Sequence, residues 1–185
     1  MGINTTLSYE ITSSGEVLIQ VKGQPENNFP RIIPRMGFEL ILPEEFNQVE
    51  WYGCSPGESY SDTKEAGRFG IYESSIEGLS FDYIFPQENG NRTDVTWLTL
   101  TNEQGSGLFI TGEKFFYFSA RHYTQQNLDK AQHIYELKKT KEVYLYLDKQ
   151  QHGIGSASCG PDVLVEHELL VEPFIFGFLL KPIHS

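Results

Sequence analysis

The amino-acid sequence predicts an all-β fold, an antiparallel β-sandwich with one short helix. Short segments that alternate apolar and polar residues recur along the chain, and turns rich in Gly, Pro, Asn and Asp separate them. Helical periodicity is almost absent. The 13 Phe, 10 Tyr and 2 Trp residues supply large side chains of the kind that pack well on strands. Many short strands without intervening helices favour packed antiparallel sheets.

The predicted strands begin near the start of the chain. Residues 7–11 and 17–21 alternate around Ser13-Ser14-Gly15, which is a hairpin signal. The same pattern continues at residues 35–42, 49–52, 79–84, 95–101, 108–111, 115–118, 134–137, 143–147, 164–171 and 174–180.

One helix and one long loop complete the expected architecture. Thr124 is a suitable N-cap for a helix over residues 125–132, with Leu128 and Ala131 on one face. Residues 55–71 have little strand pattern and many polar side chains, so we expect an ordered loop there. A length of 185 residues suits one sizeable core, and no repeat or linker divides the chain. We therefore expect a single domain over residues 1–185.

The composition argues against several classes of partner. The formal net charge is -11 and Lys/Arg clusters are absent, so the chain lacks the charge that neutralises a nucleic-acid backbone. No positively charged start precedes an apolar run, and no stretch of about 20 apolar residues occurs. We expect a cytoplasmic protein that binds neither nucleic acid nor membrane. We also expect Cys54 and Cys159 to be free thiols.

Residues 85–97 give the clearest local signal. Here the polar run Pro86-Gln87-Glu88-Asn89-Gly90 lies between the aromatic residues Phe85 and Trp97. Pro86 fixes one backbone angle, and Asn89-Gly90 can take the left-handed conformations of a tight reversal. Because alternating residues lie on either side, the pattern predicts a strand, a turn and a second strand.

Further motifs follow a fixed order along the chain, at residues 51–62, 118–133 and 148–161. With the run at residues 86–90, they resemble the C-terminal domain of long-type β-galactosidases of glycoside hydrolase family 2, that is, the fifth domain or the small chain. The likeness covers residues 31–170. In the first of these motifs Trp51, Gly53, Pro56, Glu58, Tyr60 and Asp62 match the family pattern, whereas Ser55 replaces a glycine and Thr63 an arginine.

The resemblance implies a galactose-mutarotase-like supersandwich of which this chain forms the latter part. It also implies an accessory domain or small subunit of an enzyme that hydrolyses terminal β-D-galactosides such as lactose. In that family both catalytic glutamates lie in a separate barrel domain, so we expect no catalytic carboxylates here and no activity of the chain alone. No cofactor is expected in this domain, and magnesium and sodium are expected in other domains of the full enzyme.

The resemblance also suggests which residues meet the substrate. In the family, a loop after a Gly-hydrophobic-Gly turn reaches the mouth of the active site, with tryptophan at its tip in some members and cysteine in others. Cys159 occupies that place, and Cys159, Ser158 and Ser156 are the predicted substrate-binding residues. A cysteine has no aromatic face, so we expect a weaker stacking contribution. The implied partners are the remaining domains or large subunit and the galactoside, with a homo-oligomer as a further option.

Two other functions stay open at this stage. An independent carbohydrate-binding module would use exposed aromatic side chains, and Trp51, Tyr52 and Tyr60 are candidates. An aldose mutarotase with a His/Glu pair rests on fold analogy alone. A histidine side chain can carry protons in a catalytic site, so His133 is a candidate proton carrier, but we interpret it first as a hydrogen-bonded packing residue. Glu103 falls in a predicted hairpin turn and is rejected as catalytic, and Cys/His spacing for zinc is absent.

Overall fold

Nine antiparallel strands build the chain in the computed structural model, which describes residues 2–156 and 159–184. The predicted all-β antiparallel architecture is therefore confirmed. The strands are β1 (Ile3–Ile11), β2 (Val17–Pro25), β3 (Arg35–Leu42), β4 (Gln48–Ser55), β5 (Arg68–Ser75), β6 (Arg92–Thr101), β7 (Gly107–Arg121), β8 (Val143–Gln151) and β9 (Phe174–Ile183). Two short helices are α1 (Ile76–Leu79) and α2 (Gln125–Lys130). Neither is long and apolar enough to cross a membrane, and no other described helix is.

The long strand β7 connects the two layers of the sandwich. One of its edges pairs with β6. On the other edge, residues 107–112 pair with β9, whereas residues 117–121 pair with β8. The β9 branch continues through β2 to β1, and the β8 branch ends at β3. Because two strands lie side by side against the two halves of β7, the sheet divides there.

The core lies where the β8–β3 branch folds over the β9 branch. The ring of Phe38 on β3 meets Phe176 and Phe178 on β9, with centroids 5.4 and 5.9 Å apart. Trp51 on β4 packs edge-on against Phe118 on β7 at 5.6 Å, and both side chains are almost fully buried. Strand side chains alternate between faces, so these inward residues leave a second, outward-facing set on the same strands.

Three predicted strands are wrong. Residues 79–84 contain the last residue of α1 followed by irregular chain. Residues 134–137 form a 3₁₀ turn at Ile134–Glu136, and residues 164–171 contain a 3₁₀ turn at Val165–His167. The predicted loop at residues 55–71 is also too long, because β5 begins at Arg68.

Side chains bond the backbone in or beside each of these segments, and residues 164–171 also form one isolated antiparallel bridge, between Leu170 and Ile32. Asn89 Oδ1 accepts a hydrogen bond from the Phe81 N–H at 3.1 Å. Asn127 Nδ2 donates to the Glu136 carbonyl at 3.2 Å, and its Oδ1 accepts from the N–H of Lys138, just beyond that segment, at 2.6 Å. His152 Nδ1 accepts from the Leu169 N–H. A backbone donor that is satisfied in this way needs no strand partner. These segments therefore keep an alternating pattern of apolar residues although none of them forms a strand of the sheet.

The predicted helix is present but shorter. Thr124 caps α2 as expected, because its hydroxyl oxygen accepts a hydrogen bond from the Asn127 N–H at 3.1 Å. The helix ends at Lys130 rather than at residue 132. The second helix, α1, was not predicted; Ser75 caps it by accepting from the Gly78 N–H at 3.1 Å. Its residues Ile76 and Leu79 are fully buried against the sheet.

Replacement of a core aromatic residue will test this packing. Phe118→Ala removes a fully buried ring and should lower the free energy of unfolding by about 3–5 kcal/mol. Urea denaturation of the two proteins measures the difference. Phe115→Ala is the matched control on the same strand, because 57% of Phe115 is exposed, and it should cost less than about 1 kcal/mol. Equal losses in the two variants would contradict the assignment of the core.

Candidate functional site

Three of the sequence motifs meet at one end of the sandwich. The residues that follow β4, those that precede β6 and those that follow β8 enclose a cavity of about 410 Å³. Its lining includes Glu58 and Tyr60 from the first segment, Glu88 from the second, and Gly155 and Ser156 from the third. Motifs up to about a hundred positions apart therefore build one site.

Two arginines fix the position of Glu88. Arg121, which is almost fully buried, donates through both terminal nitrogens to the two carboxylate oxygens of Glu88 at 2.7 and 3.2 Å. Arg35 lies 3.6 Å from Glu88 and also donates to the buried carboxylate of Asp148. Burial raises the pKa of Asp148, while Arg35 and Gln151 act to lower it. The four charges form one continuous network.

A buried hydrogen-bond chain ties the same three segments together. Gln151 donates from its side-chain amide to Asp148 and to Asn91 Oδ1, both at 2.9 Å. Asn91 in turn donates from Nδ2 to the carbonyl oxygen of Ser59 at 2.8 Å, and its own carbonyl accepts from the Ser59 N–H at 2.8 Å. Buried polar groups that are fully paired specify one arrangement of the chain. These contacts join the three segments at the end of the sandwich, which is called the platform below.

The turn at residues 86–91 is part of that platform. Gly90 adopts the left-handed conformation expected of it, with φ of 73°. Arg92 closes the turn by donating to the carbonyl oxygens of Gly90 and Asn91 at 2.9 and 3.2 Å. Burial lowers the pKa of Arg92 to about 10, and its guanidinium lies 5.5 Å from the Trp51 ring. The left-handed conformation of Gly90 is as predicted, but Asn89 does not share it, no backbone hydrogen bond closes a turn within residues 86–91, and no strand precedes them.

Both carboxylates that line the cavity are occupied by protein groups. Glu58 accepts hydrogen bonds from the Gly90 N–H at 2.8 Å and from the Tyr83 hydroxyl. The bond to Glu58 raises the pKa of Tyr83 to about 12. Glu88 is held by Arg121 and Arg35 as described above. A retaining glycosidase needs two carboxyl groups that can reach the bond being cleaved. Glu58 and Glu88 are arranged instead to hold the chain in place.

Asp62 holds the base of the loop at residues 153–161. Its Oδ2 accepts a hydrogen bond from the Gly155 N–H at 2.7 Å. Gly155 has a φ of 61°, and a Cβ placed on Gly153 would lie only 2.7 Å from the same Asp62 oxygen. Among the described residues of this loop, the bond to Asp62 is the one hydrogen bond from residues 154–163 that reaches another part of the chain. The loop is therefore held at its base by two contacts, the bond from Gly155 to Asp62 and the bond from the Gly153 N–H to the His167 carbonyl at 3.0 Å.

The predicted substrate-binding residues lie on this loop. Ser156 lines the cavity and closes the loop, because its N–H and hydroxyl both donate to the Pro161 carbonyl at 3.2 and 3.1 Å. Cys159 is a free, exposed thiol near the tip, where its N–H donates to the Ser156 carbonyl at 2.9 Å. Ser158 lies outside the described residues. Contact of the three with substrate stays a prediction.

The other candidates from the sequence lie elsewhere. Trp51 and Tyr60 are 2% and 1% exposed, so the prediction that they form an exposed sugar-binding surface is wrong, whereas Tyr52 is 37% exposed. His133 is half-exposed and pairs with Glu136 at 3.1 Å instead of packing in the interior. Glu103 lies in the turn between β6 and β7, as predicted. Cys54 is a buried free thiol, and burial raises its pKa.

Sequence reasoning missed two residues on which the site depends. Arg35 and Gln151 are cross-strand partners on β3 and β8, more than a hundred positions apart. Arg35 belongs to no local pattern of polar residues, and Gln151 lies inside the motif at residues 148–161, where no role was assigned to it. The available signals were that Arg35 begins a predicted strand and that Gln151 follows Asp148 by three positions.

Removal of Glu88 will test the charge network. Glu88→Ala leaves the buried Arg121 without its carboxylate and should cost about 3 kcal/mol of unfolding free energy, the lower end for a broken buried pair, because Glu88 is partly exposed. Chemical denaturation measures the loss. Glu16→Ala breaks the exposed pair with Lys181 and should cost no more than about 1 kcal/mol. Equal losses of unfolding free energy in Glu88→Ala and Glu16→Ala would show that the charge network stabilises the fold no more than an exposed ion pair does.

Substitution of Asp62 will test the attachment of the loop. Asp62→Ala should accelerate hydrogen exchange of the Gly155 amide by about tenfold or more, the value of a hydrogen bond to a charged acceptor. Asp62→Asn keeps a carbonyl oxygen that can accept the bond and should restore most of the protection. Glu65→Ala, an exposed carboxylate of the same segment, is the control. Unchanged exchange in Asp62→Ala, measured by NMR, would contradict the attachment.

No group of three or more His, Cys, Asp or Glu side chains in the described ranges is arranged to hold a metal ion.

Comparison with known proteins points to one family. Residues 1–180 match the family model described as β-galactosidase small chain. Similar curated proteins are the β-galactosidases of Kluyveromyces lactis, 40% identical over 150 residues, Arthrobacter sp. strain B7, 34% over 165, and Photobacterium profundum, 34% over 184.

These matches use most of this chain but little of each relative. They cover 80%, 86% and 98% of the chain, and only 14%, 16% and 17% of the three β-galactosidases. The family model matches residues 1–180, and the three relatives are 34–40% identical to the chain. Such similarity shows membership of the family and not only a shared fold. The chain belongs to the β-galactosidase small-chain family.

Proposed function

We propose that this chain is an accessory domain or small subunit of a β-galactosidase and supplies a loop, but no catalytic carboxylate, to the entrance of the active site. One observation carries the proposal: almost the whole chain matches the small-chain family, yet it corresponds to 14–17% of β-galactosidase relatives. A domain of that share in a hydrolytic enzyme has its function alongside a larger catalytic body.

The geometry of the site supports an accessory role. Glu58 and Glu88 line the cavity, but Tyr83, Gly90 and Arg121 occupy their oxygens. A carboxylate acts on a substrate only when its oxygens can reach the reacting atoms, and here protein donors already occupy them. What the site offers instead is a rigid base that presents the loop at residues 153–161, attached through Asp62.

The finer parts of the proposal concern the substrate. Cys159, Ser158 and Ser156 would contact the galactoside at the entrance, and the enzyme would act on terminal β-D-galactosides such as lactose in the cytoplasm. Magnesium and sodium would be held by other domains of the full enzyme. The exposed position of the Cys159 thiol and the closure of the loop by Ser156 support this arrangement.

Complementation will test the proposed function. The chain and the polypeptide that carries the rest of a β-galactosidase from the same organism are produced separately, mixed, and assayed for lactose hydrolysis. Each alone should be inactive or nearly so, and the mixture should be active. The Phe118→Ala variant, which is expected to be destabilised, is the negative control. No gain in activity over the larger polypeptide alone would count against the proposal.

The loop can be tested in the same assembled enzyme. Cys159→Trp adds an aromatic face at the tip and should lower KM for lactose by about twofold to tenfold, the value of one aromatic contact, with a smaller change in kcat. Cys159→Ser removes the sulfur without adding a ring and should leave KM nearly unchanged. If Cys159→Trp changes neither KM nor kcat, the loop tip does not meet the sugar.

A further inference from the structure

A continuous row of apolar side chains crosses the outer face of the sheet. Phe69 on β5, Tyr52 on β4, Trp97 on β6 and Phe109 on β7 follow one another across the strands, and Phe115 flanks Phe69. Neighbouring ring centroids are 4.6 to 6.4 Å apart. Together with Ile71, which is paired with Tyr52, these residues are called the aromatic strip.

The aromatic strip lies on the side of the sheet away from the core. Trp51 and Leu98, the neighbours of Tyr52 and Trp97 in sequence, point inward and are buried. On the outer side Phe69 is 47% exposed, Ile71 65% and Phe115 57%. Single exposed apolar residues are ordinary, but a contiguous patch of this kind marks a surface that another molecule covers.

The composition and shape of the strip fit a protein surface better than a sugar. Aromatic residues are enriched at the centres of protein interfaces, where they fill hollows in the partner. A sugar platform would present flat ring faces. The Trp97 ring is inclined by only 36° to Tyr52 and 24° to Phe109, but at the exposed end of the strip Phe69 stands at 74° to Tyr52 and 57° to Phe115. Rings inclined at different angles leave hollows between them, and the side chains of a partner protein can pack into these hollows.

The relatives indicate what covers the strip. In the three β-galactosidases the segment similar to this chain is 14–17% of the protein, so each contains a much larger body next to it. We propose that the aromatic strip is the surface through which this domain docks on the remaining polypeptide of a β-galactosidase. The inference rests on the proposed function and adds the contact surface to it.

The strip is continuous with the loop site. Phe69 pairs with Cys54 near the end of β4, and the chain then enters the segment that carries Glu58 and Asp62. Asp62 holds Gly155 at the base of the loop. A partner seated on the strip would therefore lie close to the loop at residues 153–161. Docking through this face gives the loop a defined position relative to the catalytic body.

A second exposed apolar surface serves as the comparison. The edge strand β1 carries Leu7, Tyr9 and Ile11 on one face, and they are 44%, 59% and 74% exposed. These residues lie on a strand at the opposite end of the strand order from β5. Substitutions on β1 also replace exposed apolar side chains, so they serve as the control for substitutions in the aromatic strip.

The experiment measures binding of the chain to the separately produced larger polypeptide by surface plasmon resonance. A double variant, Phe69→Ser with Ile71→Thr, removes the exposed end of the strip, and urea denaturation checks that it remains folded. Its affinity should fall by at least about 30-fold, the effect of losing one interface hot spot. Tyr9→Ser with Ile11→Thr on β1 should bind like the wild type. Lactose hydrolysis by each mixture is recorded in parallel.

The outcomes separate the two proposals. If the wild-type chain binds and activates but the strip variant does so equally well, the docking surface is wrong while the proposed function stands. If the wild-type chain neither binds nor activates, both fail. Sedimentation that shows dimers of the chain alone, disrupted by the strip variant, would replace the proposed partner with a second copy. Galactose-induced NMR shifts at Tyr52 and Trp97 would replace it with a sugar.

Discussion

The buried ion-pair network around Asp148 is the interaction on which the rest of the site depends. Asp148 lies on β8, Arg35 on β3, Arg121 on β7 and Glu88 in the turn before β6, so the network joins four parts of the chain. Removing a single charge would leave a buried neighbour unpaired, which costs more than the pair itself contributes. The network therefore defines one arrangement of these segments and disfavours others.

That arrangement gives the acidic residues gathered here a structural role. Glu58, Glu88 and Asp62 each accept hydrogen bonds from another segment: Glu58 from the turn, Glu88 from two arginines, and Asp62 from the loop. Their negative charge strengthens bonds to backbone and guanidinium donors. The acidic residues of the motifs serve as connectors, and their spacing in the sequence reflects which segments have to meet.

The sequence predicted the fold more completely than the site. Strands with a partner on each side, such as β6 and β8, show clear alternation and were found. The segments at residues 79–84, 134–137 and 164–171 alternate equally well, but Asn89, Asn127 and His152 bond their backbones. Within the site, the motifs marked the segments that meet, including the one that contains Gln151, whereas Arg35 lies in no motif and enters through the pairing of β3 with β8, which no local pattern reveals.

The division of the sheet at β7 has a mechanical consequence. Because β7 pairs with β9 through residues 107–112 and with β8 through residues 117–121, the two branches are joined through the backbone of one strand. Loss of order in β7 would therefore separate the branch that ends in β1 from the branch that ends in β3, whereas loss of order in β1 or β3 removes only the last strand of one branch.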